Sequence, residues 1–221
     1  VPRILHQVWV GSPPPAWVLD NWAPWESLLS DDWMIYRWTD ENMGEWPLSA
    51  MARKDCPHPA ILSDYIRLEQ LWKFGGIYLD SDTRPLRSLN PLTGSQRPAW
   101  ISSTSESWLP MAKRHWTANN AAIGVPRHSP VVAEVWAEAA EAVHLKPRRL
   151  SQWAGPGAWG RARENHPLEL LPEELFPGVP HRKRHEVVNM STEYLATTYT
   201  EAFAIHEYDQ SWNPGTKPVH A

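Results

Sequence analysis

The sequence predicts an α/β fold: a mostly parallel central sheet flanked by helices, forming a single domain over residues 1–221. Three observations lead there. Short apolar, β-rich runs alternate with helical periodicity from the start of the chain, in the order strand, helix, strand, helix. Between Ala60 and Phe74, the residues Ile61, Leu62, Tyr65, Leu68, Leu71 and Trp72 recur at helical spacing, followed by Gly75-Gly76 and a short apolar run. No internal repeat, low-complexity tract or linker divides the 221 residues, a length that buries one substantial core.

In order along the chain, Ile4-Leu5-His6-Gln7-Val8-Trp9-Val10 predicts a buried first strand, ended by Gly11 and Pro13-Pro14-Pro15. Residues 16–29 put Trp17, Leu19, Trp22, Trp25 and Leu28 on a helix that Pro24 kinks or splits. Residues 33–38 predict a second strand, and Thr39 suits the N-cap of a helix over 40–46. After the helix at 60–74, Gly75 fits the left-handed position that ends helices, and Gly76 permits a sharp turn into the strand 77–79. Strands are expected at 98–103 and 121–125 and a helix at 131–143; the rest reads as loop-rich, apart from a strand at 202–206.

Composition narrows the function classes. The net charge of −4 supplies no general drive toward nucleic acid or anionic membrane. The basic clusters Lys146-Pro147-Arg148-Arg149 and His181-Arg182-Lys183-Arg184-His185 read as solvated loops, with a polyanion contact the less favoured reading. The single cysteine, Cys56, excludes an intramolecular disulfide and disfavours a cysteine-based metal site. The 15 tryptophans suit both a core and faces that stack on sugars or bases, and in a chain of this size most are structural. No apolar run approaches the roughly 20 residues that span a bilayer, and Val1 onward carries no secretion signal. The expectation is a cytoplasmic protein without a membrane segment.

The chemistry concentrates after the double glycine. Asp80 and Asp82 are two apart, so an extended backbone would point both toward one face. Two neighbouring carboxylates repel unless a cation or hydrogen bonds compensate, and a divalent metal on a diphosphate would do so. The end of a strand in an α/β sheet is also where ligands bind. Asp64 and Arg67, three apart on the preceding helix, share a face; taken alone they are a modest ion pair. Tyr78 fits a core aromatic equally well.

The pattern Ala60, Ser63-Asp64, Arg67, Leu71, Gly75-Gly76, Tyr78, Asp80, Asp82 resembles the glycosyltransferases with a DXD sugar-binding motif. That family includes yeast-type α-mannosyltransferases, capsular-polysaccharide sugar transferases and, more distantly, the glucosylating bacterial toxins. Pro2–Gly11 and Arg37-Trp38-Thr39-Asp40 are similar to its first strands. Asn119–Gly124 with Pro130, Gly155-Pro156-Gly157, and His206 with Ser211-Trp212 resemble later blocks in the same order.

The resemblance implies a GT-A type nucleotide-binding fold and a retaining transferase. Such an enzyme moves a sugar from a UDP- or GDP-linked donor to an acceptor hydroxyl, with Mn²⁺ or Mg²⁺ bridging the diphosphate. It implies that Trp9 stacks on the base, with Gln7 and Val8 beside it, and that Asp64 and Arg67 hold the sugar. Ser63, Tyr78, Ser81 and Asn120 would line the donor. Asp82 would ligate the metal, and Asp80 the metal's water shell or the ribose. His206 and Asp209 are further candidate ligands, and Ser211 and Trp212 would close over the diphosphate. Simpler roles stand beside these: a core position for Trp9, a turn for Asn120, a core or surface position for His206. Two rivals remain, a metal-dependent nucleotide-sugar or phosphoester hydrolase and a non-enzymic carbohydrate-binding module. The expected acceptor is a glycan, for which segments 84–119 and 144–200 carry no readable code.

Overall fold

The β-branched and apolar run at the start of the chain forms β1 (Ile4–Val8), buried at every position. The computed structural model describes residues 1–44, 46–55, 58–104, 118–145, 154–179 and 184–207. After β1 come α1 (Ala16–Trp22), α2 (Trp25–Leu28) and β2 (Met34–Trp38), with Pro24 at the break between the two helices. Then follow α3 (Pro47–Asp55), α4 (Pro59–Phe74), β3 (Gly76–Leu79), β4 (Thr83–Pro85), β5 (Trp100–Ser103), β6 (Ala118–Val125) and α5 (Pro130–Leu145). The described chain closes with α6 (Pro156–Asn165), β7 (Glu169–Leu171), α7 (Arg184–Val188), α8 (Thr192–Thr198) and β8 (Ala204–His206).

Six strands form the main sheet in the order β2-β1-β3-β6-β5-β7, and β4 pairs with β8 in a separate ribbon. In the main sheet β6 runs antiparallel to both its neighbours and the other strand pairs are parallel, while β4 and β8 are antiparallel. The sheet is thus mainly parallel, as predicted. The reversed strand has a functional consequence: it brings its own N-terminal end, Ala118 to Ala121, to the edge where β1 and β3 finish.

One apolar cluster joins α4, α5 and α6 to the sheet through Tyr65, Ile66, Leu68, Ile123, Val135 and Trp159. A second, built on Leu5, Trp25, Ile77, Leu79, Trp100 and Phe176, includes residues that alternate with the first along β1 and β3. Trp25, Trp100 and Trp159 are among the largest fully buried side chains, so these tryptophans are structural. Among the described residues, no helix is long and apolar enough to cross a membrane.

Several local expectations change. Residues 40–42 form a turn rather than a helix capped by Thr39. Asn42 Oδ1 takes the Thr39 N–H at 2.8 Å and its Nδ2 donates to the Arg37 carbonyl at 2.8 Å, so side-chain bonds replace a helical ladder. Gly44 follows at φ +66°, and the helix begins instead at Pro47. Glu69 of α4 accepts the Leu48 and Ser49 N–H groups at 2.5 and 3.2 Å, satisfying donors at that helix start. The segment read as loop-rich holds α6, β7, α7 and α8. Gly75 does end α4 at positive φ, but with φ +65° and ψ −162° it is extended, in a region glycine alone occupies readily.

Candidate active site

The main cleft, about 690 Å³, opens where β1, β3 and the start of β6 meet. Its floor is the turn after β3. Strand β3 stops at Leu79, so Asp80-Ser81-Asp82 is a turn rather than the extended strand end expected. Three bonds shape it: Asp80 N–H to the Ala121 carbonyl at 2.8 Å, Ser81 Oγ to the Val8 carbonyl at 2.7 Å, and Thr83 N–H back to the Asp80 carbonyl at 3.1 Å. Ser81 therefore anchors the acidic turn to β1.

The β4–β8 ribbon starts directly after this turn, with Thr83 opposite His206. That register delivers His206 to the two acids: its Nε2 lies 3.1 Å from Asp82 Oδ1 and 3.6 Å from Asp80 Oδ2. Ligand atoms of Asp80, Asp82 and His206 all lie within 4.8 Å of one another. Two carboxylates and an imidazole lining an open cleft suit a hard divalent cation that keeps places for phosphate and water oxygens. Burial opposes a charge on His206, but the Asp82 carboxylate, by charge and hydrogen bond, and then Asp80 outweigh it and raise its pKa.

Beside this trio stands a second cluster. Arg67 is buried, and its Nη1 donates to the Asn120 carbonyl at 2.8 Å and lies 3.0 Å from Asp64 Oδ1. Its Nη2 donates to Asp80 Oδ1 at 2.7 Å and to the Tyr78 hydroxyl oxygen at 3.0 Å, and its Cζ sits 4.0 Å from the Tyr78 ring centroid. Asn120 Nδ2 donates to Asp64 Oδ1 at 2.8 Å. Asn120 is thus a strand residue of β6 bound to the acid of α4, not a turn residue.

Burial pushes the Asp64 carboxyl up to about 6, against the pull of Arg67 and with the push of Asp80. Burial also lifts the Tyr78 hydroxyl well above its ordinary range, keeping it a neutral donor. For Arg67, burial opposes the charge, but Tyr78, Asp80 and Asp64 together hold it firmly protonated. Two acids and one cation within a buried cluster leave a site that is polar, preformed and charged.

Trp9 follows β1 and lines the cleft half-buried, so it is not a core residue. Its ring meets that of Trp17 edge-on at 5.5 Å between centroids, and its Nε1 donates to Ser12 Oγ at 3.2 Å. Val8, Ser63, Tyr78 and Ser81 also line the cleft, although Ser63 Oγ is spent on the Ala60 carbonyl at 2.8 Å. Gln7 does not: it is fully buried and its side chain lies away from the cleft. Period-two alternation explains this, since Gln7 follows Leu5 onto the opposite face from Val8. Gly155-Pro156-Gly157 is the start of α6, not a loop, and Pro156 reaches the cleft. Asp209, Ser211, Trp212, Cys56 and the cluster at 146–149 lie outside the described residues, as do residues 181–183.

Asn21, Arg84 and Glu207 escaped the sequence reading. Their only signals were position, Arg84 two residues past Asp82 and Glu207 next to His206.

The fold is of the GT-A type seen in glycosyltransferases. The fold matches that of PaToxG glycosyltransferase, with a TM-score of 0.60 at 14% identity over 75% of this chain and 69% of that one. A glycosyltransferase involved in glycosylation of the major capsid of PBCV-1 matches with a TM-score of 0.53 at 10% identity, covering 93% and 94% of the two chains. At such identities the likeness establishes the fold.

In sequence the chain is related to the DXD-motif sugar-binding glycosyltransferases. Residues 25–99 match the model of the glycosyltransferase sugar-binding region containing the DXD motif. Inositol phosphoceramide mannosyltransferase 3 of Schizosaccharomyces pombe is 32% identical over 117 residues, 49% of this chain and 31% of that protein. The Rattus norvegicus lactosylceramide 4-alpha-galactosyltransferase is 25% identical over 182 residues, 82% of this chain and 48% of the relative. The matched regions thus span less than half the length of each of these two proteins.

Proposed function

We propose that residues 1–221 form one catalytic domain that transfers a sugar from a nucleotide-diphosphate donor to an acceptor hydroxyl, retaining the anomeric configuration. The observation that carries this reading is the adjoining of two clusters in one cleft. Asp80, Asp82 and His206 form a hard-cation donor set, and Asp64, Arg67 and Asn120 form a buried, charged set suited to sugar hydroxyls. A divalent ion held by the first, Mn²⁺ or Mg²⁺, supplies Lewis-acid stabilisation of the departing diphosphate.

The chain's own groups do the rest. Asp64, ionised above pH 6, accepts hydrogen bonds from donor hydroxyls while Asn120 and Arg67 fix its orientation. Arg67 places a permanent positive charge beside the reacting sugar, already held by Asn120, Tyr78 and Asp80, so little reorganisation accompanies charge development. Trp9, braced edge-on by Trp17, offers a face to a UDP or GDP base at the end of β1. Thr104, Ala118 and Asn119, on the β5–β6 side of the cleft, are where an acceptor glycan would approach.

Thermal-shift screening of nucleotide sugars with and without Mn²⁺ tests the donor. One nucleotide class at about 100-fold over its Kd should raise Tm by about 5–10 °C, only with the metal. Asp82→Ala should keep its fold by circular dichroism and lose both that shift and metal-dependent transfer. Anomeric configuration of the product is read by NMR. Nucleotide hydrolysis without transfer to any supplied glycan would favour a hydrolase instead.

A further inference from the structure

Asp82 and His206 reach each other across a ribbon with only three paired positions, Thr83 with His206, Arg84 with Ile205 and Pro85 with Ala204. A two-stranded ribbon that short does not hold its own register in water. A pair of side chains, Arg84 within the ribbon and Glu207 just beyond its Thr83–His206 end, supplies the constraint. Glu207 is completely buried, its N–H donates to the Asp82 carbonyl at 2.9 Å, and its carboxylate lies 2.5 Å from Arg84 Nη2. Arg84 faces Ile205 and Glu207 lies two residues further on, so the pair bridges the ribbon diagonally.

Asn21 of α1 adds a third strut, its Nδ2 3.5 Å from both the Ser81 carbonyl and Glu207 Oε2. The same guanidinium caps the end of α7: Nη1 donates to the Met190 carbonyl at 2.8 Å and Nη2 to the Val188 carbonyl at 3.2 Å. Neither Arg84 nor Glu207 lines the main cleft; Arg84 and Asn21 instead line a second cavity of about 260 Å³. A buried carboxylate is costly and adds little stability even when paired, so this one calls for a role beyond packing.

We propose that Arg84 and Glu207 are positioning residues that hold Asp82 and His206 in register for a divalent cation and couple cation binding to the docking of α7. The proposal rests on reading Asp80, Asp82 and His206 as a cation site. By linkage, a cation that requires the register stabilises the docked helix to the same extent.

The test uses Mn²⁺ alone as probe, titrated calorimetrically into wild type, Glu207→Gln, Arg84→Met, Arg84→Lys and Asp82→Asn, with folding checked by circular dichroism. Amide exchange over residues 184–207 is followed with and without Mn²⁺. Expected are loss of binding in Asp82→Asn, a 10–100-fold weaker Kd in folded Glu207→Gln and Arg84→Met, and partial recovery in Arg84→Lys. Mn²⁺ should also slow exchange at Val187–Met190 in wild type. Unchanged affinity in the folded Glu207 and Arg84 variants, with binding lost in Asp82→Asn, overturns the positioning role and leaves the cation site standing. Wild-type affinity in Asp82→Asn overturns the cation site itself. Should the Glu207 and Arg84 variants not fold, exchange at Val187–Met190 that ignores saturating Mn²⁺ overturns the coupling.

Discussion

Asp80 divides its two oxygens between two tasks. Oδ1 takes Arg67 Nη2 at 2.7 Å and the Tyr78 hydroxyl at 2.9 Å, while Oδ2 faces His206 Nε2 at 3.6 Å. One carboxylate thereby joins the Arg67 cluster to the candidate cation site, so a displacement of either reaches the other.

Arg67→Lys should expose that dependence. Lysine keeps the charge but cannot serve the Asn120 carbonyl, Asp64, Tyr78 and Asp80 at once. Turnover is expected to fall by about 10²–10³-fold, the scale of losing one preorganised charge-stabilising donor. Nucleotide Kd, by calorimetry, should change by less than about tenfold. Equal losses in both would make Arg67 a simple binding residue.

Asp64 predicts a pH dependence of known sign. Its carboxyl rises from 3.8 to about 6 on folding, so between those values the folded state holds more protons than the unfolded. Its contribution is full below about pH 4 and is lost as pH rises through 6, on the order of 3 kcal/mol. Asp64→Asn should remove that term, so that urea midpoints measured from pH 4 to 7 climb with pH relative to wild type. A variant with the wild-type profile would place the proton elsewhere. Activity should follow the ionised form and decline below pH 6.

His6 predicts the opposite sign. It is buried, accepts the Trp38 Nε1–H at Nδ1 at 3.1 Å, and so donates from Nε2 to the Gly75 carbonyl at 2.9 Å. Burial lowers its pKa from 6.5 to about 4, the Gly75 bond opposing only in part. The stability it contributes is present above pH 6.5 and lost as pH falls through 4, again on the order of 3 kcal/mol. Because His6 and Asp64 act in overlapping windows with opposite slopes, wild-type stability should vary little there. NMR titration of the His6 ring separates them: a midpoint near 6.5 would overturn the assignment.

The two glycines after α4 differ sharply from Gly44. A Cβ on Gly76, at φ +102°, would sit 2.5 Å from the Ile4 carbonyl oxygen, and one on Gly75 would sit 2.5 Å from the Arg127 nitrogen. Both contacts are with backbone, so alanine should cost about 3 kcal/mol or more at either site. Gly44→Ala, at φ +66° with nothing within 4 Å, should cost only about 1–2 kcal/mol. Denaturation midpoints that rank the three alike would contradict this.

Local pattern carried most of the architecture. The stripe of α4, the split at Pro24 and the first strands were legible because period and breaker residues are short-range signals. The failures have physical causes. Asn42 and Gly44 turned a short helical window into a turn by side-chain bonding that no periodicity reveals. Within the site, the motif residues Asp64, Arg67, Asp80 and Asp82 announced themselves, and His206 came through resemblance. Glu207 and Asn21 did not, because their importance lies in a register between distant segments. Gln7 shows the reverse case, a motif neighbour whose side chain alternation places on the face opposite Val8.

The β4–β8 ribbon also imposes an order on the making of the site. Asp80, Asp82 and the Arg67 cluster belong to the earlier-synthesised part of the chain, whereas His206 and Glu207 emerge only after α8. A nascent chain can therefore assemble its sheet, its cleft and both carboxylates while the third corner is still to be made. The candidate cation site is complete only when the end of the described chain has paired back beside Thr83.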